Sequence, residues 1–276
     1  MDMITLPAGD RVPSLGLGTW HMGARTDNRA AEVRALQHGV DLGMTLIDTA
    51  EMYADGRAEE VTGAAIAGCR DAVFVVSKVL PHNASRSGTV AACEASLRRL
   101  GIETLDLYLL HWPGHHPLEE TLGGFEALRA AGKIRHYGVS NFDPADMADL
   151  AAAGATACQT NQCLYNPSRR GIEFDLLPMM AQAGMPLMAY SPLEQGRLAD
   201  DPVLTEIGRG HGVDALAVAL AWVLRRGDVI AIPKASDLAH VAANRAAAGL
   251  VLGDDELALI DAAFPPPERA APLEIL

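Results

Sequence analysis

Thr45-Leu46-Ile47-Asp48-Thr49-Ala50-Glu51-Met52-Tyr53 sets a short apolar run against an aspartate, with a tyrosine five residues further on. Two similar runs follow. Val73-Phe74-Val75-Val76-Ser77-Lys78 ends on a lysine, and Leu105-Asp106-Leu107-Tyr108-Leu109-Leu110-His111 ends on a histidine. Apolar runs of about four to eight residues between turns read as strands buried on both faces, as in a parallel sheet. If the three strands are neighbours, Asp48, Lys78 and His111 meet at their C-terminal ends.

The remaining chain predicts the scaffold that makes them neighbours. Ile4–Leu6 and Val12–Pro13, split by Pro7-Ala8-Gly9-Asp10, read as a short hairpin ahead of the main domain. A glycine-rich strand from Leu15 to Trp20 precedes a helix over 28–41. Further strands over 134–140, 157–162, 187–191 and 229–232 alternate with helices, which show apolar residues at helical spacing, as Val90, Cys93, Leu97 and Leu100 do. Asp143-Pro144 is a helix start, with a capping carboxylate and a proline that needs no amide partner. A stretch rich in Gly, Asp and Pro then leads to a helix over 214–226, and helices over 237–248 and 254–264 precede a tail without periodicity.

That makes eight strand–helix units with no linker or composition break in 276 residues. The expected fold is α/β, a single-domain (β/α)8 TIM barrel over 1–276 with an N-terminal β-hairpin and extra helices near the C-terminus; such barrels run to about 250 residues. An open doubly wound sheet would carry a G-x-G-x-x-G turn, and Gly16-Leu17-Gly18 begins one, but His21 stands at the third glycine.

Composition narrows the function. A net charge of −13 argues against nucleic acid or an anionic membrane as partner. No apolar run reaches the roughly 18 residues of a membrane span, and no basic region followed by an apolar core opens the chain, so a soluble cytoplasmic protein is expected. Cys69, Cys93, Cys158 and Cys163 form no CxxC pair and read as reduced thiols.

In a barrel the strands' C-terminal ends carry the chemistry. Taken singly, an Asp, Lys or His there is more often a cap or a solvated side chain; together, at three successive strand ends, they form a site. Tyr53 can fold back over it. A phenol has a pKa near 10, which burial raises and an adjacent ammonium lowers. A carboxylate holds that ammonium, and a histidine can donate to a substrate oxygen. The set suits protonation of an oxygen that gains negative charge during reaction. None of these groups supplies a hydride. His115 and His116 sit beside Gly114 and Pro117 with no completing carboxylate, so no metal site is expected.

The chain resembles the aldo-keto reductases from Leu15 to about Asn244. The resemblance is carried by Gly16–Trp20, Asp48–Tyr53, Ser77-Lys78, Leu105–Pro113, Gly138–Phe142, Asn161-Gln162, Tyr190–Leu193 and Ile232–Ala235. It is most similar to compact bacterial members active on small aldehydes and 2-oxoaldehydes such as methylglyoxal. The resemblance implies NADPH-dependent carbonyl reduction by a monomer, with Tyr53 as general acid, Lys78 and Asp48 lowering its pKa, and His111 orienting the carbonyl. It implies that Ser140, Asn141 and Gln162 hold the nicotinamide carboxamide and that Tyr190 stacks on the ring. Ser191 and Leu193 would follow the pyrophosphate, and Lys234, Ser236 and Asn244 the adenosine end, where Arg197 could add to Lys234 near the 2′-phosphate; Pro192, Gln195, Ile232, Ala235 and His240 are also expected to bind the cofactor. Gly18, Thr19, Trp20 and Asp48 complete the cofactor set. Trp20, Met52, His82 and Trp112 are expected on the substrate side.

His240 stands where many members place an arginine against the 2′-phosphate, which leaves NADH open as an alternative. Two other readings are compatible with the sequence: a cofactor-binding regulatory module with little turnover, and a Schiff-base lyase using Lys78.

Overall fold

In the computed structural model, which describes all 276 residues, β1 (Met3–Thr5) and β2 (Arg11–Pro13) form an antiparallel hairpin. Eight parallel strands follow in sequential order: β3 (Leu17–Gly18), β4 (Leu46–Asp48), β5 (Phe74–Val79), β6 (Leu105–Leu110), β7 (Ile134–Ser140), β8 (Cys158–Leu164), β9 (Leu187–Tyr190) and β10 (Val229–Ala231). Between them lie α1 (Arg29–Asp41), α2 (Arg57–Ile66), α3 (Arg86–Leu100), α4 (Leu118–Ala130), α5 (Pro144–Ala152), α6 (Leu176–Gln182), α7 (Pro202–His211) and α8 (Ala215–Leu224). Helices α9 (Leu238–Ala247) and α10 (Asp254–Ala263) follow. No single helix is long and apolar enough to cross a membrane.

The sheet curls until its ends meet. Parallel bridges join Leu15 to Ala231 and Gly18 to Lys234. Gly16 donates to the Ala231 carbonyl at 2.8 Å, and Gly18 to the Pro233 carbonyl at 3.0 Å. The glycines are steric requirements of this closure. A Cβ on Gly18 would lie 2.6 Å from the Ile232 carbonyl oxygen, and one on Gly16 would lie 2.8 Å from that of Leu46.

Side chains in a strand alternate between faces, so one set of every second residue points into the barrel. Leu46 and Asp48, Val76 and Lys78, and Leu107, Leu109 and His111 are three such series. Their lower members pack inside the barrel with Met188, Ile230 and Ile232, and Ile4, Leu6 and Val12 of the hairpin join the same cluster. The hairpin is therefore a plug at the N-terminal end of the strands. The other set, including Val75, Val79, Tyr108 and Leu110, packs outward against the helices. The inward series thus changes from apolar to ionisable only at the C-terminal mouth.

The structure extends the sequence reading at two places. Helix α7 lies within the stretch expected to be a connection; Asp201 caps it by accepting from Val203 and Leu204, Pro202 opens it, and Gly212 closes it with φ of 69°. The first strand contracts from 15–20 to two residues because closure bends the chain around Gly16 and Gly18. The four cysteines are free, and burial pushes the Cys93, Cys158 and Cys163 thiols up to about 12.

Leu6 is 2% exposed in the plug. Leu6→Ala is expected to lower stability by about 2–4 kcal/mol through lost burial and a residual cavity, measured by urea unfolding, with the site at the far end left assembled.

Candidate active site

Lys78 is fully buried, and its ammonium has three acceptors for its three protons: Asp48 Oδ2 at 2.8 Å, the Thr49 carbonyl at 2.9 Å and the Tyr53 hydroxyl at 3.0 Å. The geometry fixes the direction of the last bond. An ammonium can only donate, so Tyr53 Oη accepts and its own proton remains available to a third group. Gln162 Nε2 donates to the other Asp48 oxygen at 2.8 Å, orienting the carboxylate from β8. Ser77, adjacent to Lys78, faces outward and donates to the buried Glu59.

Tyr53 stands edge-on to Trp20 at 4.8 Å and to His111 at 5.8 Å between ring centroids. It opens a tight loop in which Ala54, Asp55 and Gly56 all have positive φ. The chain contains seven non-glycine residues with positive φ: His21, Ala54, Asp55, Asn141, Ser191, Glu194 and Gln195. Every one lies in a loop after a C-terminal strand end, which concentrates backbone strain, about 1–2 kcal/mol per residue, around a single mouth.

Burial works against the Lys78 ammonium, but Asp48 and Tyr53 more than compensate and hold its pKa above the ordinary lysine value. That is the reverse of what a Schiff-base lysine requires. Burial raises the Asp48 carboxyl, with Lys78 and Gln162 pulling it back; the 2.8 Å contact and the raised lysine identify an ion pair. Burial also raises Tyr53, and the opposing pull of Lys78 does not cancel it. Lys78 thus moderates the rise without producing the net lowering expected from its charge. His111 is pushed down to about 2 by burial and then by Lys78, so its ring is neutral. Nδ1 has no partner, and Asn141 Nδ2 donates to the His111 carbonyl at 3.1 Å.

These groups open onto a cavity of about 610 Å³ that runs from Trp20, Met52 and Trp112 past Asn141, Gln162 and Tyr190 to Lys234, His240 and Asn244. Gly18, Thr19, Ser140, Ser191, Pro192, Leu193, Gln195, Ile232 and Ala235 also line it. Besides Lys78, which is buried behind Tyr53 and Asp48, three sequence-predicted positions lie off its wall. His82 is exposed, with its carbonyl facing His116 Nε2 at 3.4 Å. Arg197 is paired with Glu194 at 3.1 Å, and Ser236 accepts from Lys234 Nζ at 3.2 Å. Arg245 turns away to donate to the Leu42 carbonyl, leaving Lys234 as the only lysine or arginine on the wall. Glu51 is structural: its Oε1 accepts from Leu80 N and Asn83 Nδ2. A wider depression of about 1410 Å³ lies at the opposite end, among the strand starts Thr45, Phe74 and Thr104. Its arginines are largely neutralised, Arg70 by Asp106 and Arg135 by Asp10 and Asp106.

The cavity wall also includes Ile275 and Leu276, which no periodicity announced, and Asp214, Leu216 and Ala217 at the start of α8. Only the latter had a readable signal, the helix start at Asp214.

The model of the Aldo/keto reductase family matches residues 14–264. The chain belongs to the aldo/keto reductase family. It is 50% identical to methylglyoxal reductase YeaE of Escherichia coli, with 99% of each chain covered, and 33% identical to glyoxal reductase of Bacillus subtilis, covering 95% of this chain and 92% of that one. Among solved structures, an aldo-keto reductase from Klebsiella pneumoniae in complex with NADPH superposes with a TM-score of 0.96 at 48% identity over the full length of both chains. A Klebsiella pneumoniae aldo/keto reductase in complex with NADP and acetate gives 0.95 at 48% identity, over 99% of each.

The neutral state of His111 has a measurable cost. Its folded pKa lies far below the ordinary value near 6.5, so the unfolded chain binds the proton first and stability falls as pH drops below about 6.5. Between pH 6.5 and 5 the wild type should lose roughly 1–2 kcal/mol more than His111→Gln, read from chemical denaturation at each pH.

Proposed function

We propose that this aldo/keto reductase converts small aldehydes and 2-oxoaldehydes of the methylglyoxal kind to alcohols using NADPH, with Tyr53 as the general acid. The observation that carries this reading is the hydrogen-bond direction at Tyr53. Lys78 donates to Oη, so the phenolic proton is free for a carbonyl oxygen in the cavity. The relatives named for methylglyoxal and glyoxal support the substrate class.

The donor set fits the cofactor. Asn141, Gln162 and Ser140 provide amide and hydroxyl groups beside the Tyr190 ring, suited to a nicotinamide carboxamide. Loop 191–196 would follow the pyrophosphate, and Lys234 with His240 would meet a 2′-phosphate. When bound, NADPH supplies the hydride. The chain's residues do the rest. Tyr53, held protonated at neutral pH by burial, gives its proton to the oxygen as negative charge builds there. Lys78 then stabilises the phenolate left behind, and Asp48 keeps Lys78 charged and in place. Neutral His111 can donate one hydrogen bond to the same oxygen without competing as an acid. Trp20 and Trp112 exclude water and wall the substrate.

Tyr53→Phe keeps the ring packing and removes the proton. It should lower kcat for methylglyoxal about 10²–10⁴-fold with NADPH binding retained; near-normal turnover in this variant would sink the mechanism. Lys234→Met should raise the Kd for NADPH about tenfold, as expected for a lost charge-assisted contact, while shifting that for NADH little. Equal shifts for both cofactors would place the 2′-phosphate elsewhere.

A further inference from the structure

Two adjacent arginines tie down the C-terminal tail. Arg170 Nη1 holds its root, donating to the Phe264 carbonyl at 2.6 Å and to Asp261 at 2.7 Å. Arg169 Nη1 holds its tip, donating to Glu274 Oε1 at 2.6 Å. The same Arg169 guanidinium reaches in another direction, with Nη2 at 2.9 Å and Nε at 3.2 Å from Glu194 Oε1.

Glu194 belongs to the loop after β9 and is buried. Its carboxylate also accepts from Asn166 Nδ2 at 2.8 Å and Arg197 Nη1 at 3.1 Å. Ser191, Glu194 and Gln195 all have positive φ. A backbone so strained holds its shape only if surrounding contacts over-determine it, and the thrice-held carboxylate does this. Beyond Glu274, Ile275 and Leu276 form cavity wall. Tyr190, on the same wall, donates its hydroxyl proton to Asn141 Oδ1 at 3.0 Å.

The tail tip is therefore joined to the loop by charge and shares a cavity wall with Tyr190 and Asn141. We infer that Arg169 is a positioning residue that clasps the C-terminal tail to loop 191–197 behind the cavity wall that both supply, so that the Glu274–Arg169 pair retards release of NADPH. This rests on the cofactor reading above.

Glu274 and Arg169 side chains are 44% and 31% exposed, and pairs of that kind change an equilibrium or rate only a few-fold. The test is stopped-flow displacement of NADPH from the full-length protein, following energy transfer from tryptophan to the reduced nicotinamide. Glu274→Gln should accelerate release about two- to fivefold and raise KM for NADPH in step, with the thermal midpoint unchanged. Glu274→Asp should restore slow release, and Glu268→Gln, in the same tail but without a partner, should match wild type. Adding Glu274→Gln to Arg169→Met should produce no further acceleration. If NADPH binds the wild type and Glu274→Gln releases it at the wild-type rate, or accelerates release equally in both backgrounds, the clasp is refuted. A wild type that fails to bind NADPH would overturn the cofactor reading and the clasp together.

Discussion

An ammonium with no solvent exposure stands at the centre of this protein. Moving such a charge out of water costs several kcal/mol unless every proton finds an acceptor. Lys78 meets that condition with three acceptors, all contributed by the segment from Asp48 to Tyr53. Asp48 is itself oriented by Gln162 from the other side of the barrel. The ion pair therefore links β4, β5 and β8, and it dictates how tightly the mouth must close. Breaking a buried pair from one side typically costs about 3–5 kcal/mol, so Asp48 carries stability.

Much of this was legible because Asp48, Lys78 and His111 each end a short apolar run that reads as a strand buried on both faces, and in a barrel the C-terminal strand ends share one mouth. Sequential strand order then made them neighbours. The cavity polar groups on β7, β8 and β9 followed from the family resemblance alone.

What escaped was non-periodic or dependent on balance. Helix α7 carried the same start signal as α5, an aspartate before a proline, but the surrounding Gly and Asp residues obscured it. Ile275 and Leu276 reach the cavity through ion pairs made by Arg169 and Arg170, long-range contacts with no local pattern. The tyrosine pKa depends on two opposed effects, burial and the Lys78 charge, and only the packed structure reveals that burial prevails. His82, by contrast, has the right residue type near the right strand but projects to solvent.

The closing seam has a further consequence. β3 is two residues long, and its junction with the last strand depends on few backbone hydrogen bonds, including those at Gly16, Gly18 and Ala231. The same junction, through Gly18, Ile232 and Lys234, is a wall of the cavity. A barrel opens where its hydrogen bonding is sparsest, and an occupant touching both sides of that junction binds only the closed form. Occupancy of the cavity and integrity of the barrel are thus one equilibrium, and amide exchange at Gly16, Gly18 and Ala231 is where the molecule reports both.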